Sequence, residues 1–249
     1  MEEPRRRSFL DVLKRNLSLS DRFGHTTRFA YIGEYFGGSE DELIKVVGGN
    51  VHRLNEEYGQ TILSGLLLIY PRHFVHVIAG SEEPIYRHLQ AVLVEDTSKI
   101  LGRIIRLPAY HNVYRMYFKG WFTASVKNPP MLLDRIENVE LNEIQKQIRS
   151  CLAKLYSLSE YLMDAASISQ EKMNEALKNL DKTVPYFLPE ITVVEYLLTA
   201  DLSVLEDLRD YLEKFNEIPF LHFYNGKRSY MATAKRTCAS QTNTRHGRK

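Results

Sequence analysis

Disulfides, membrane spans and a dominant charge are all missing from this sequence. Its 249 residues include two cysteines, Cys151 and Cys238. That is too few for a disulfide framework, or for a four-ligand zinc site without other ligands. A reducing, cytoplasmic setting is the expectation. The best apolar run, Ile62 to Tyr70, is nine residues long, whereas a bilayer needs roughly 20. Lys and Arg number 33 against 31 Asp and Glu, a net charge of +2, which argues against a general nucleic-acid binder. The opening MEEPRRRSFL places acids before its basic cluster and no long apolar run after it, unlike a secretory signal. The sequon Asn16-Leu17-Ser18 therefore carries no expectation of glycosylation.

Catalytic signatures are missing too. Gly33 to Gly38 has loop-like glycines but no following Lys-Ser/Thr, so it reads as a turn and not a phosphate cradle. There is no Gly-x-Ser-x-Gly elbow, no His-Glu-x-x-His and no Cys/His cluster. His73 and His76 lie three apart in a strand pattern and face opposite sides, so they cannot chelate one ion. His52 and Glu56, a helical turn apart, read as a surface pair. The expectation is a protein that is not an enzyme, holds no metal and has no small-molecule substrate.

What is present is an ordinary globular balance, 44% hydrophobic and 26% charged. Thr26 to Phe36 is rich in strand-forming residues and ends at Gly37-Gly38. Ser39 caps a helix running to about Tyr58, with Glu42 as its capping-box partner; Gly48-Gly49 inside it marks a kink or a close contact. Gln60 to Tyr70 is apolar on both sides, as a central strand is. After the Pro71-Arg72 turn, His73 to Ala79 forms its hairpin partner. Ser81 caps a second helix, about 82 to 95, with Ile85, Leu89, Val92 and Leu93 inward. Strands follow at Ile100 to Leu107 and from Gly120. This βαββαβ order is the ferredoxin-like pattern, two helices on one face of an antiparallel sheet.

Beyond Pro130 the pattern turns helical to about residue 184, then again at Ile191–Thr199 and Ser203–Phe215, with a strand-like run at Ile218–Tyr224. The expected parts are an N-terminal lead (1–25), a ferredoxin-fold domain (26–130), a helical extension ending in a short strand (131–234) and a basic tail (235–249) too polar to build a core. In the lead, Phe9, Leu10, Val12, Leu13 and Leu17 have helical spacing between basic flanks. They suit either a docking helix or a segment folding back on its own domain. Arg6-Arg7-Ser8 fits a basophilic kinase pattern.

The block 26–123 resembles a BLUF domain, the ferredoxin-like module that senses blue light through a flavin. The resemblance rests on LSGLLLIYPRHFVHVIAG (Leu63 to Gly80), on Tyr31 at the place of the photoactive tyrosine, and on Phe118-Lys119-Gly120-Trp121. It implies that any flavin, as FAD, would meet Tyr31, Asn55, His76 and Trp121. Three departures stand against this. His76 replaces the glutamine whose amide switches hydrogen bonds, a switch that imidazole cannot make. Tyr58 takes the place of a flavin-holding asparagine, with Asn55 three residues early. Thr123 replaces a methionine.

Further features are similar to those of the testis-expressed protein 47 family, BLUF-like proteins of sperm-forming tissue. They are Gly59 to Pro71, Leu188-Pro189-Glu190 before Tyr196-Leu197, and Ile218-Pro219. The family resemblance implies an α+β, BLUF-like βαββαββ domain with a mostly helical C-terminal extension. It also implies a non-enzymatic structural or adaptor protein of the cilium or flagellum axoneme, bound to other proteins, with no cofactor. The alternative is an FAD-binding sensor. An RNA-binding sheet is disfavoured, because Leu66, Leu67, Leu68, Val75 and Val77 supply aliphatic faces where such modules present aromatics.

Overall fold

The structure, a computed structural model, describes Ser8, Val12 and residues 26–36, 39–57, 63–95, 100–113, 116–133, 136, 140–200 and 205–217. The remainder of the N-terminal lead, Gly37-Gly38, Tyr58, the 218–224 run, Cys238 and the basic tail lie outside the described residues. The chain divides into two units, residues 1–212 and 213–249. Of the second, only residues 213–217 are described.

The elements in chain order are β1 (Thr27–Tyr35), α1 (Glu40–Glu57), β2 (Leu63–Ile69), β3 (His73–Gly80), α2 (Glu82–Glu95), β4 (Leu101–Arg106) and β5 (Trp121–Ser125). Then come α3 (Leu141–Ile168), α4 (Gln170–Lys178), α5 (Leu180–Thr183), a 3₁₀ turn (Pro185–Phe187), α6 (Ile191–Thr199) and α7 (Leu208–Glu217). The strands form one sheet in the order β4-β1-β3-β2-β5, the ferredoxin-like arrangement with a fifth strand added. β1, β2, β3 and β4 pair antiparallel. β5 joins β2 in parallel, which makes the sheet mixed at that edge.

The capping box at α1 forms as its spacing predicts. Glu42 N–H donates to Ser39 Oγ (3.2 Å), and Ser39 N–H donates to the Glu42 carboxylate (3.3 Å). Against the helical pattern from 131, the described residues 131–133, 136 and 140 lie outside helix and α3 begins at Leu141; the last helix begins at Leu208, with 205–207 outside it and Ser203 beyond the described residues. The reason for the later start is that Glu206 and Asp207 are extended against β4. Arg106 N–H donates to the Glu206 carbonyl (3.1 Å), and Asp207 bridges Ile105.

Both faces of the sheet are covered. On one, Leu43, Val47, Val51 and Leu54 of α1 and Ile85, Leu89 and Val92 of α2 pack on Tyr31, Leu67, Phe74 and Ile104. On the other, Ile144, Ile148, Cys151, Leu152 and Leu155 of α3, with residues of α4 and α6, pack on Ala30, Ile32, Leu66, Leu68, Val75 and Val77. Double coverage explains why β2 and β3 are buried at every position and why their sequences are apolar on both sides. Polar pins fasten the second helical layer. Tyr70 donates to the Pro189 carbonyl (3.0 Å), Arg103 donates to the Leu198 carbonyl (2.7 Å), and Lys154 pairs with Glu190. The Arg28 guanidinium lies 3.9 Å from the Tyr117 ring centroid, a cation–π contact. Buried in this layer, the Cys151 thiol is free and pushed up to about 12 by its apolar surroundings.

Candidate functional site: a buried histidine–tyrosine–tryptophan relay

β-Register brings the first pair together. β1 and β3 align Tyr31 directly opposite His76, both on the face beneath α1 and α2. His88 reaches in from α2, and Trp121 from the start of β5. Tyr31, His76 and His88 are fully buried. His76 Nδ1 lies 2.7 Å from the Tyr31 hydroxyl, the hydroxyl lies 3.1 Å from His88 Nε2, and Trp121 Nε1 donates to His76 Nε2 at 2.9 Å.

One donor fixes the direction of the whole chain. An indole N–H can only donate, so His76 Nε2 is an acceptor and the proton of the neutral ring sits on Nδ1. Nδ1–H then donates to the Tyr31 oxygen, and the Tyr31 hydroxyl donates to His88 Nε2. His88 must carry its proton on Nδ1, and that atom has no partner. The relay therefore runs Trp121 to His76 to Tyr31 to His88 and stops at an unsatisfied buried donor.

Burial keeps this relay neutral. His88 is lowered to about 3 by desolvation. His76 lies well below its ordinary value through desolvation and, secondarily, the nearby His88. The Tyr31 hydroxyl is pushed far up by burial. A protonated His76 would also turn an N–H toward the indole N–H, which opposes ionisation on geometric grounds alone. As placed, none of the three ionises near neutral pH, so none is poised for acid–base exchange there.

On its α1 side the Trp121 end of the relay is met closely by the protein itself. A β-carbon at Gly48 would lie 2.4 Å from the Trp121 ring, so α1 approaches the indole only because position 48 has no side chain. This is the close contact that the Gly48-Gly49 pair predicts; Gly49 has nothing within 4 Å of an added β-carbon. His52, exposed like Glu56 one turn on, meets the Trp121 ring edge-on with centroids 5.9 Å apart.

Asn55, the residue through which the BLUF resemblance implies a grip on the flavin, is occupied at both ends of its amide. Its Nδ2 donates to the Leu63 carbonyl and its Oδ1 accepts from the Leu63 N–H, each at 2.9 Å. The amide thus serves as a clamp joining α1 to the start of β2. Tyr58, the ungapped equivalent of that asparagine, lies outside the described residues. All four implied flavin contacts, Tyr31, Asn55, His76 and Trp121, are hydrogen-bonded within the protein.

His88 belongs to this site and escapes motif reading. Its signal is position: it falls in the buried stripe of α2 with Ile85, Leu89 and Val92, where an imidazole needs a partner. Among the described residues no three His, Cys, Asp or Glu side chains are grouped to hold a metal ion, and no helix is long and apolar enough to cross a membrane.

Similar solved structures include the photo-activated state of BlsA, at 14% identity and a TM-score of 0.32, over 61% of this chain and 91% of that one. BlrB, a BLUF protein in its dark state, matches at 13% identity and a TM-score of 0.32, over 41% of this chain and 73% of that one. A complex of Klebsiella pneumoniae BlrP1 with manganese and cy-diGMP matches at 18% identity and a TM-score of 0.29, over 40% of this chain. The match spans only 24% of that longer protein. Over residues 27–217 the chain matches the family described as testis-expressed protein 47, and it belongs to that family.

Proposed function

We propose that this chain is a non-enzymatic structural or adaptor protein whose BLUF-like core has given up flavin. We place it as a subunit of the ciliary or flagellar axoneme in sperm, where it binds other proteins of the assembly. Nucleic acid, membrane and small-molecule substrates are not its partners in this reading. The observation that carries it is that the four implied flavin contacts are bonded within the protein. Tyr31, His76 and Trp121 spend their hydrogen bonds on one another, Asn55 spends its amide on Leu63, and the Trp121 ring lies against Gly48. A flavin ring in contact with these four would have to break that set and leave buried groups unpaired, at about 1–3 kcal/mol each. The residues do not fit the cofactor.

The test is an absorbance spectrum of the purified chain after incubation with FAD and desalting. The expected result is a colourless protein. Retained flavin bands overturn the loss of cofactor and install the FAD-sensor reading, with Tyr31, Asn55, His76 and Trp121 as its contacts. The location is tested separately: the chain is expected to be enriched in purified sperm axonemes, and its absence from them overturns that assignment.

A further inference from the structure

The two edges of the sheet are treated differently. At β4 the outer edge is met by Glu206 and Asp207. At β5, among the described residues, no strand pairs with the outer edge. The ladder shows which groups that edge presents. Gly120 accepts from Gly65 N–H, and Val126 N–H donates to Ile69, so even-numbered positions face β2. Alternation then turns the N–H and C=O of Trp121, Thr123 and Ser125 outward.

This row opens on a cavity of about 540 Å³ between β5 and the α4–α5 turn, lined by Thr123, Ser125, Lys127, Lys178 and Lys182 among others. All three lysines are exposed. Asp181, the acid in the same lining, is engaged by Asn128 at 3.2 Å. Ser125 Oγ donates to the Glu40 carboxylate at 3.0 Å, so three lysines stand against two acids that are each engaged; the groove is net basic, and among the described residues no strand pairs with the outward main-chain groups along one wall. Lysines that guard an edge against pairing sit in the edge strand itself. Here β5, Trp-Phe-Thr-Ala-Ser, carries no charge, and the lysines stand beside it and across from it.

We propose that the outer edge of β5 docks an extended, acidic peptide segment of a partner protein, which adds as a sixth strand. Main-chain bonds to Thr123 and Ser125 would supply the pairing, and Lys127, Lys178 and Lys182 would select the acidic side chains. The inference rests on the adaptor reading and gives it a contact surface.

The experiment titrates the full chain into a fluorescein-labelled octapeptide of alternating Glu and Val and follows anisotropy. Saturable binding is expected, with none for a Lys–Val octapeptide. Thr123→Pro removes an outward N–H and leaves the β2 ladder intact; it is expected to weaken binding by up to about tenfold, the worth of one net hydrogen bond at the upper end of its range. Thr123→Val, which keeps the N–H, is expected to bind as wild type. A Lys178→Glu/Lys182→Glu variant is expected to lose binding to a similar extent and gives a second route should Thr123→Pro not fold. The near-ultraviolet signal of Trp121, the one tryptophan in the chain, reports folding. Failure of the wild type to bind overturns the proposal. So does equal binding by folded Thr123→Pro, or competition by single-stranded oligo-dT that ignores both variants. If wild type and folded Thr123→Pro enrich equally in axonemes, the edge is overturned and the adaptor reading stands. If the peptide binds as expected but the chain is not enriched in axonemes, the edge stands and the axonemal assignment falls.

Discussion

Gly65→Ala is expected to destabilise the protein by about 3 kcal/mol or more, a large share of the 5–15 kcal/mol that holds a typical domain folded. A β-carbon at Gly65 would stand 2.1 Å from the Val77 carbonyl oxygen and 3.1 Å from Ile78 Cα. These are main-chain atoms of β3, which is hydrogen-bonded on both sides, to β1 and to β2, and cannot move aside as a side chain can. Gly65 also donates to Gly120 on its other flank (3.0 Å), so the strain reaches β5. Gly48→Ala should be milder, because the atoms in its way belong to the Trp121 side chain. Gly49→Ala, exposed on the same helix with open space around it, is expected to stabilise by up to about 1 kcal/mol through helix propensity. Urea unfolding of the three variants ranks them; a Gly65→Ala protein as stable as wild type would sink the close-approach account.

Tyr31→Phe is the second large effect. The ring volume is kept and one oxygen is lost, yet two buried groups are orphaned: the Nδ1–H of His76 and Nε2 of His88. At about 1–3 kcal/mol for each, the expected loss is about 2–6 kcal/mol. Tyr35→Phe, which removes a single hydroxyl bond to the Tyr70 carbonyl (2.8 Å), is expected to lose only about 1 kcal/mol.

The same relay sets an acid sensitivity. His76 and His88 stay neutral in the folded protein well below the pH at which an unfolded histidine takes up its proton, near 6.5. Between those limits the unfolded chain binds more protons, so stability rises with pH and is lost as pH falls below about 6.5. His88, lowered to about 3, should remove about 2 kcal/mol between pH 7 and pH 5, and His76 acts in the same direction. His73, lowered by burial, acts in the same direction. Tyr31→Phe keeps both relay histidines and should keep this slope, whereas His88→Gln should flatten it. Denaturant midpoints at the two pH values separate the cases, and equal slopes for wild type and His88→Gln would count against a buried neutral His88.

Much of the fold was legible because local chemistry and tertiary role coincide. The unbroken apolar run of β2 is what a strand covered on both faces must have, and the Ser39–Glu42 box announces the start of α1. Leu208 shows where that legibility stops. The pattern continues back to Ser203, but pairing of 206–207 with β4, a hundred residues earlier in the chain, overrides it. The site was half legible. Tyr31 and His76 stood out through the BLUF resemblance, and the strand register then sets them opposite one another. Trp121 lies 73 residues beyond Gly48, and no local pattern encodes their contact; the glycine pair signals only that something comes close. Asn55 shows the opposite limit: the resemblance implies a flavin contact there only if flavin binds, and its amide joins α1 to the start of β2, which no motif announces.

The coverage of the sheet on both faces has a thermodynamic consequence. Ala30, Ile32, Leu66 and Val77 form one apolar cluster with α3, α4 and α6, and Tyr70 and Arg103 hydrogen-bond to main-chain carbonyls more than ninety residues away. Neither the strands nor the helical extension can melt without stripping cover from the other. Calorimetry is therefore expected to record a single cooperative endotherm for the described body, with calorimetric and van't Hoff enthalpies in agreement; two separated peaks would mean that the layers unfold independently. Amide protons of β2 and β3 should then exchange with those of α3 at a common free energy, as one foldon.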